Sequence, residues 1–248
     1  MVSIILDPGH GGSDPGAVYK NYQEKVFTLK ISYLLKNQID NNYKNVIVYL
    51  TRTGDEDVSL KQRYTMSNQI KPSLFISIHC NAGGGSGFES YLRQHPSDKE
   101  IFYRDVIHNS IALLNRKYKL TDRGKKVRDM DVTTYNLYPA MLLEVLFIDN
   151  PQDLKFLIDE NYLQEWCSVI ATAIASIFKL ESKIETIPVQ PTPPPEKPIE
   201  EVTPPPEYKE ISEKMIDIND KIKDVKNKIN NIFDEVINKL DELIKKLS

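Results

Sequence analysis

The chain is poor in cysteine, with Cys80 and Cys167 the two in 248 residues. Two distant thiols do not make a disulfide framework, and both are expected as small buried apolar side chains. No apolar run is long enough to span a bilayer, so a membrane is not an expected partner. No basic segment precedes the first apolar run at Val2, so the expectation is a chain made in the cytoplasm without a signal peptide. Net charge is only −3, which argues against nucleic acid as a partner. Residues 1–180 carry 21 Lys/Arg against 20 Asp/Glu, while residues 181–248 carry 11 against 15. The acidic excess therefore belongs to the C-terminal part.

A change of composition divides the chain. The stretch IPVQPTPPPEKPIEEVTPPPEYKE, Ile187 to Glu210, is rich in Pro and Glu and almost empty of core-forming residues. Such a segment favours extended polyproline conformations and acts as a semi-rigid spacer. We divide the chain into a globular unit over 1–180, a linker over 181–207 and a helical segment over 208–248.

Within the first unit, short apolar runs alternate with amphipathic ones. Val2–Leu6, Val46–Leu50, Leu74–Ile78, Phe88–Leu92 and Ala140–Ile148 read as strands. Glu24–Ile39, Val58–Ile70, Asp98–Tyr118 and Tyr162–Phe178 read as helices, with another starting after Asn150 as N-cap and Pro151 at its first position. This order predicts an α/β fold: a twisted, mostly parallel sheet with helices on both faces. Central strands should be parallel, with antiparallel pairing at an edge. In the last segment, Ile211, Met215, Ile218, Ile222, Val225, Ile229, Ile232 and Val236 step by four and three, a heptad seam. Leu240, Leu243 and Leu247 follow after an inserted stutter. Ile and Val at both seam positions favour a coiled coil of more than two strands, so a homo-oligomer through 208–248 is expected. A single helix folded back on the first unit is the alternative.

Ligands in open α/β sheets bind beyond the carboxyl ends of the strands. His10 follows the first strand in DPGHGG, and His79 follows LFISI. Glu144 interrupts the otherwise apolar run AMLLEVLFI. His10 alone could be a turn residue, and His79 alone a strand-end histidine bonded to backbone. A carboxylate buried without a partner costs several kcal/mol or shifts its pKa, so Glu144 points to a site. Imidazole is the commonest metal ligand, and a catalytic zinc takes three protein ligands and an open position. Glu24, at the start of the first helix, is the best third ligand if the loop after His10 folds back; otherwise it is an acid favoured by the helix dipole.

ILDPGHGGSDPGA, Glu24, LFISIHCNA and PAMLLEVLFIDNPQD, in this order, resemble the zinc-dependent N-acetylmuramoyl-L-alanine amidases of bacteria and their phages. Arg52-Thr53 and the series Leu60, Arg63, Asn68 also match, and the resemblance covers roughly residues 1–180. It implies that His10, Glu24 and His79 bind Zn2+ and that Glu144 is the catalytic acid/base. The implied reaction uses zinc-activated water to cleave the amide between N-acetylmuramic acid and the L-alanine of the stem peptide, with bacterial peptidoglycan as the partner. Starting directly at a strand, the chain looks most like a phage endolysin, acting on the cell wall after release. Two residues are added as substrate-binding candidates. Asn81 would hold either the glycan or its own loop. Arg123 lies in the basic stretch Arg116–Arg128, either the lining of a groove for an anionic stem peptide or a solvated loop. His95 and His108 match no motif and are expected at the surface or in helix packing. A zinc peptidase acting on stem peptides and a non-catalytic wall-binding module are the competing functions.

Overall fold

The computed structural model describes residues 1–183. The linker beyond residue 183 and the helical segment expected over 208–248 lie outside the described residues. Strands β1 (Val2–Pro8), β4 (Val46–Leu50), β5 (Leu74–Asn81), β6 (Phe88–Leu92), β7 (Asp122–Val127) and β8 (Ala140–Phe147) form one sheet in the order β4-β1-β5-β8-β6-β7. Strands β4, β1, β5 and β8 are mutually parallel; β6 runs antiparallel to β8 and parallel to β7. The antiparallel pair is thus one strand in from the edge. A two-stranded hairpin, β2 (Val18–Tyr19) with β3 (Tyr22–Gln23), precedes helix α1 (Glu24–Asn42). The remaining helices are α2 (Leu60–Ile70), α3 (Asp98–Lys117), the single turn α4 (Asp131–Thr134), α5 (Pro151–Leu157) and α6 (Glu160–Phe178). None of these helices is long and apolar enough to cross a membrane.

The two faces of the sheet are covered unequally. Side chains alternate between faces along a strand. Ile4, Leu6, Ile76, Ile78, Met141 and Leu143 point to one face, where α1, α3 and α6 bury them in the main core. The opposite face takes Ile5, Phe75, Ala140 and Leu142 and packs them against Val132 of α4, with Ile70 of α2 alongside. This second core is small and stops halfway along the strands. Continuing in steps of two, the same face becomes polar. Asp7, Ser77, Leu142 and Tyr91 stand in one register row, and His79, Glu144 and Glu89 in the next.

Local signals explain the helices. Ser59 and Ser97 cap α2 and α3 with reciprocal bonds to Gln62 and Glu100, complete capping boxes. Asn150 caps α5 and Pro151 occupies its first turn, as expected. The basic stretch around Arg123 is not a loop but the edge strand β7. Its side chains are mostly exposed and only Val127 is apolar, so it carries no alternating pattern; backbone pairing to β6 holds it. Both cysteines are buried, as expected.

Ile76 lies in the central strand with no exposed surface, while Leu113 on α3 is 67% exposed. Ile76→Ala should lower unfolding free energy by about 2–5 kcal/mol. Leu113→Ala should change it by less than about 0.5 kcal/mol. Urea unfolding of the two variants measures the difference.

Candidate active site

The structure brings His10, Glu24 and His79 together, with one ligand atom from each all within 4.8 Å of one another. Glu24 reaches its place through its backbone. The first turn of α1 has no side-chain cap; Glu24 N–H donates to Ala17 O and Lys25 N–H to Pro15 O. The hairpin and the loop before it thus satisfy donors that a helix start leaves open. The buried Glu24 carboxylate then faces both imidazoles. Oε1 lies 3.0 Å from His79 Nδ1 and accepts from Cys80 N–H at 2.9 Å. Oε2 lies 3.1 Å from His10 Nε2 and accepts from Ala17 N–H at 2.9 Å. The far nitrogen of His10, Nδ1, lies 2.8 Å from Asp14 Oδ2. Asp14 therefore orients the ring, as outer carboxylates do for metal-binding histidines.

Two glycines make this cluster possible. A Cβ on Gly9 would stand 2.3 Å from the His79 ring, so the imidazole lies directly on the backbone there. Gly16 has φ +65°, and a Cβ on it would meet His10 and Glu24 at 2.6–2.7 Å. They leave space for the candidate ligand side chains, beyond allowing a tight turn.

The cluster calls for positive charge. Burial alone would lower the His10 pKa, but Glu24 and Asp14 outweigh it and raise it to about 9. His79 is likewise raised by Glu24 and Glu144 against burial. Burial opposes ionisation of Glu24, yet the two histidines hold its pKa far below the carboxylate range. One divalent cation between the two imidazoles and the carboxylate would supply it.

A second polar layer fixes the loop carrying His10. Asp7, fully buried, accepts from Arg63 Nη1 at 2.7 Å, Thr51 Oγ1 at 2.5 Å and Ser77 Oγ at 2.7 Å. Arg63 also donates to the carbonyls of Pro8, His10 and Val58. Arg52 donates to those of Pro8, Gly9, Gly54 and Lys25. Two buried guanidiniums therefore hold the end of β1 and the loop after it, where the pairing with β4 has ended. Asn68 binds Tyr135 O and Leu137 N–H and ties down the chain after α4.

Glu144 is the in-register partner of His79 on β8. Its Oε2 is buried and has no hydrogen-bond partner among the described residues. Burial, with smaller contributions from Glu24 and Glu89, outweighs the nearby histidines and raises its pKa to about 7. On the other side of Glu144, β6 contributes Glu89, a second buried carboxylate. Asn81 Nδ2 donates to Glu89 Oε1 at 2.6 Å and Tyr91 OH to the same oxygen at 2.7 Å. Arg123 Nε donates to Oε2 at 2.8 Å, and Lys126 Nζ to that oxygen as well. Burial opposes ionisation, but Lys126, Tyr91 and Arg123 overcome it and hold the Glu89 pKa near 2. Asn81 and Arg123 thus meet at a residue not singled out from the sequence. Glu89 offers the same signal as Glu144, an acid inside an apolar strand, but FESYL is short and half polar. Asp14 has no comparable signal. Asn81 Oδ1 also accepts from Ala82 N–H, so both ends of its amide are engaged within the protein.

His108 is buried in α3 between Ser90 Oγ and Asp122 Oδ1, and His95 is exposed, as expected of both. A cavity of about 450 Å3 opens beside the cluster, lined by the His10 loop, residues 57–60, Arg63 and Val132.

The mostly parallel sheet, the histidine–carboxylate–histidine cluster at its strand ends and the neighbouring buried acid define an α/β protein with a candidate metal centre. Residues 4–176 match the family model described as N-acetylmuramoyl-L-alanine amidase. The N-acetylmuramoyl-L-alanine amidase CwlM of Bacillus licheniformis is 41% identical over 180 residues, 73% of this chain and 70% of that protein. An endolysin of Bacillus phage SPP1 is 37% identical over 183 residues, 73% of this chain and 67% of its own. The catalytic domain of CwlV, an N-acetylmuramoyl-L-alanine amidase from Bacillus (Paenibacillus) polymyxa var. colistinus, superposes with a TM-score of 0.67 at 30% identity. That match covers 73% of this chain and all of that domain. The chain belongs to the N-acetylmuramoyl-L-alanine amidase family.

Arg63→Met would leave the Asp7 carboxylate buried without its cation and free three carbonyls. Breaking such a pair costs about 3–5 kcal/mol. Arg63→Met should therefore lower the urea midpoint strongly, whereas an unchanged midpoint would deny the pair its scaffolding role.

Proposed function

We propose that this chain is a peptidoglycan hydrolase that cleaves the amide between N-acetylmuramic acid and the L-alanine of the stem peptide. The observation that carries this reading is Glu144, an acid with a buried, unpartnered oxygen beside a histidine–carboxylate–histidine cluster. Two imidazole nitrogens and a carboxylate oxygen are a donor set that zinc accepts in hydrolases, with a further position left open. His10, Glu24 and His79 would hold the ion, and Asp14 would fix the His10 tautomer. When bound there, zinc polarises the amide carbonyl and makes water a better nucleophile.

The other tasks fall to the chain. Glu144, a buried carboxyl in register with His79, takes a proton from the attacking water. It delivers that proton to the amide nitrogen as the carbon–nitrogen bond breaks, so a neutral amine leaves. Glu89, kept ionised by Lys126, Tyr91 and Arg123, helps to hold the Glu144 pKa up by like-charge repulsion. Family membership favours an amidase over a stem-peptide peptidase, and the assembled acid and ligand set favours an enzyme over a passive wall-binding module.

Of the settings represented among the relatives, host lysis by a phage-type lysin is the one we infer, supported by the similarity to the SPP1 endolysin. The helical segment 208–248 is proposed to associate copies of the chain, which would raise avidity for a polymeric substrate. Sedimentation should give a multiple of the monomer mass for the full chain and a monomer for a chain ending at Leu180. Equal monomer masses would remove this role.

Mass spectrometry of digested walls should show new L-alanine amino termini and intact stem peptides; cleavage within the stem would indicate the peptidase instead. Glu144→Gln should lower hydrolysis about 10²–10⁴-fold while bound zinc stays at the wild-type level. His79→Ala should lose the metal. Asp14→Asn should cost about 10–100-fold in metal affinity or activity. Wild-type activity that survives complete chelation would contradict the proposal.

A further inference from the structure

The position of Glu144 assigns the two halves of the substrate to different parts of the surface, given the proposed amidase reaction on which this inference rests. Glu144 protonates the departing nitrogen, so that nitrogen lies on the Glu144 side of the His10–Glu24–His79 cluster. From β8 the sheet continues in that direction to β6 and then β7. The leaving peptide therefore runs over β6 and β7. The muramoyl part is left to the cavity on the β1 side, beside Asp57, Ser59 and Leu60.

Arg123 stands on the peptide's path and is already locked in place. Its Nε is bound to Glu89, and its Cζ lies 4.8 Å from the centroid of the Phe147 ring. Among the described residues no hydrogen bond uses its Nη1 or Nη2, and the side chain is 33% exposed. A guanidinium fixed by Nε and by its face presents its two outer nitrogens as a fork that fits a carboxylate. Fixing the fork before binding reduces the ordering cost of recognition. The local charge is slightly positive, with Arg104, Arg123, Lys125, Lys126 and Arg128 set against Glu89, Asp105, Asp122 and Asp129. Arg123 and Lys126 together face one carboxylate, Glu89; Arg104 and Lys125 share Asp105; and Arg128 has no ion pair among the described residues.

Neighbouring strands lie about 4.8 Å apart, which puts β7 roughly 10 Å from β8. An extended peptide covers roughly 3.3–3.6 Å per residue. The fork is thus in reach of a carboxylate on about the second or third residue of the leaving peptide. We propose that Arg123 is a carboxylate receptor for this peptide and makes the enzyme discriminate against stem peptides amidated there.

The probes are short peptides that begin with L-alanine and carry, at the second or the third residue, either a free carboxylate or its carboxamide. Binding is measured by calorimetry on the full zinc-loaded chain, and kcat/KM on the corresponding muramoyl peptides. One carboxylate peptide should bind about tenfold more tightly than its amide, the scale of a charge-assisted hydrogen bond. Arg123→Gln should bring that ratio to about one, with Lys126, Tyr91 and Asn81 still serving Glu89. Arg123→Lys, which keeps the charge and loses the fork, should fall between them; thermal melting of both variants checks folding. Equal binding of carboxylate and amide by the wild type, or full discrimination by a folded Arg123→Gln, would overturn the subsite even where hydrolysis is intact. Discrimination in binding without hydrolysis of any muramoyl peptide would support the subsite and sink the amidase reading instead.

Discussion

One buried carboxylate organises the functional end of this molecule. Glu24 places one oxygen against His79 and the other against His10, and each oxygen also accepts a backbone N–H. Isolating an ionised carboxylate from water is costly unless charge and hydrogen bonds compensate it. Here both do, and the compensation ties together the hairpin loop, the first helix and the end of the central strand β5. The same oxygens are placed to hold a cation between the rings. Structural need and proposed metal binding therefore meet at one side chain.

The sheet supplies the frame. Its main face is sealed by three long helices; the other face is sealed only over its lower half, by α2 and α4. Where that cover ends, the polar in-register row His79, Glu144, Glu89 begins, and a cavity opens at its His79 end. Arg52 and Arg63 do for the irregular loop what a neighbouring strand would do for a regular one, by occupying its carbonyls. The rigid floor and the arginine-bound loop together fix the distances on which proton transfer depends.

Much of this was legible in the chain. The apolar runs of β1, β5 and β8 became strands because central strands buried on both faces need near-continuous apolar sequence. His10, Glu24 and His79 were recognisable because polar residues at strand ends and the helix start had family counterparts, and the fold brings the three together. Glu144 stood out as the single acid in an apolar run. What was not legible depended on partners distant in sequence. Strand β7 has almost no apolar residues and exists through pairing with β6. Glu89 matters because Arg123 and Lys126, more than thirty residues later, close on it. The roles of Arg52 and Arg63 are set by the carbonyls they reach, and Gly9 is needed because the His79 ring lies against it. A linear pattern displays none of these.

His10, Glu24 and His79 are proposed as the zinc site. X-ray absorption at the zinc edge of the loaded protein tests it most directly. The account predicts a first shell of nitrogen and oxygen at about 2.0–2.1 Å, the outer-shell scattering of two imidazoles and no sulfur. The Cys80 side chain points away from His79 to the opposite face of β5, into the main core, so its sulfur is not expected to ligate. A zinc–sulfur distance near about 2.3 Å, or a spectrum without imidazole scattering, would contradict the account.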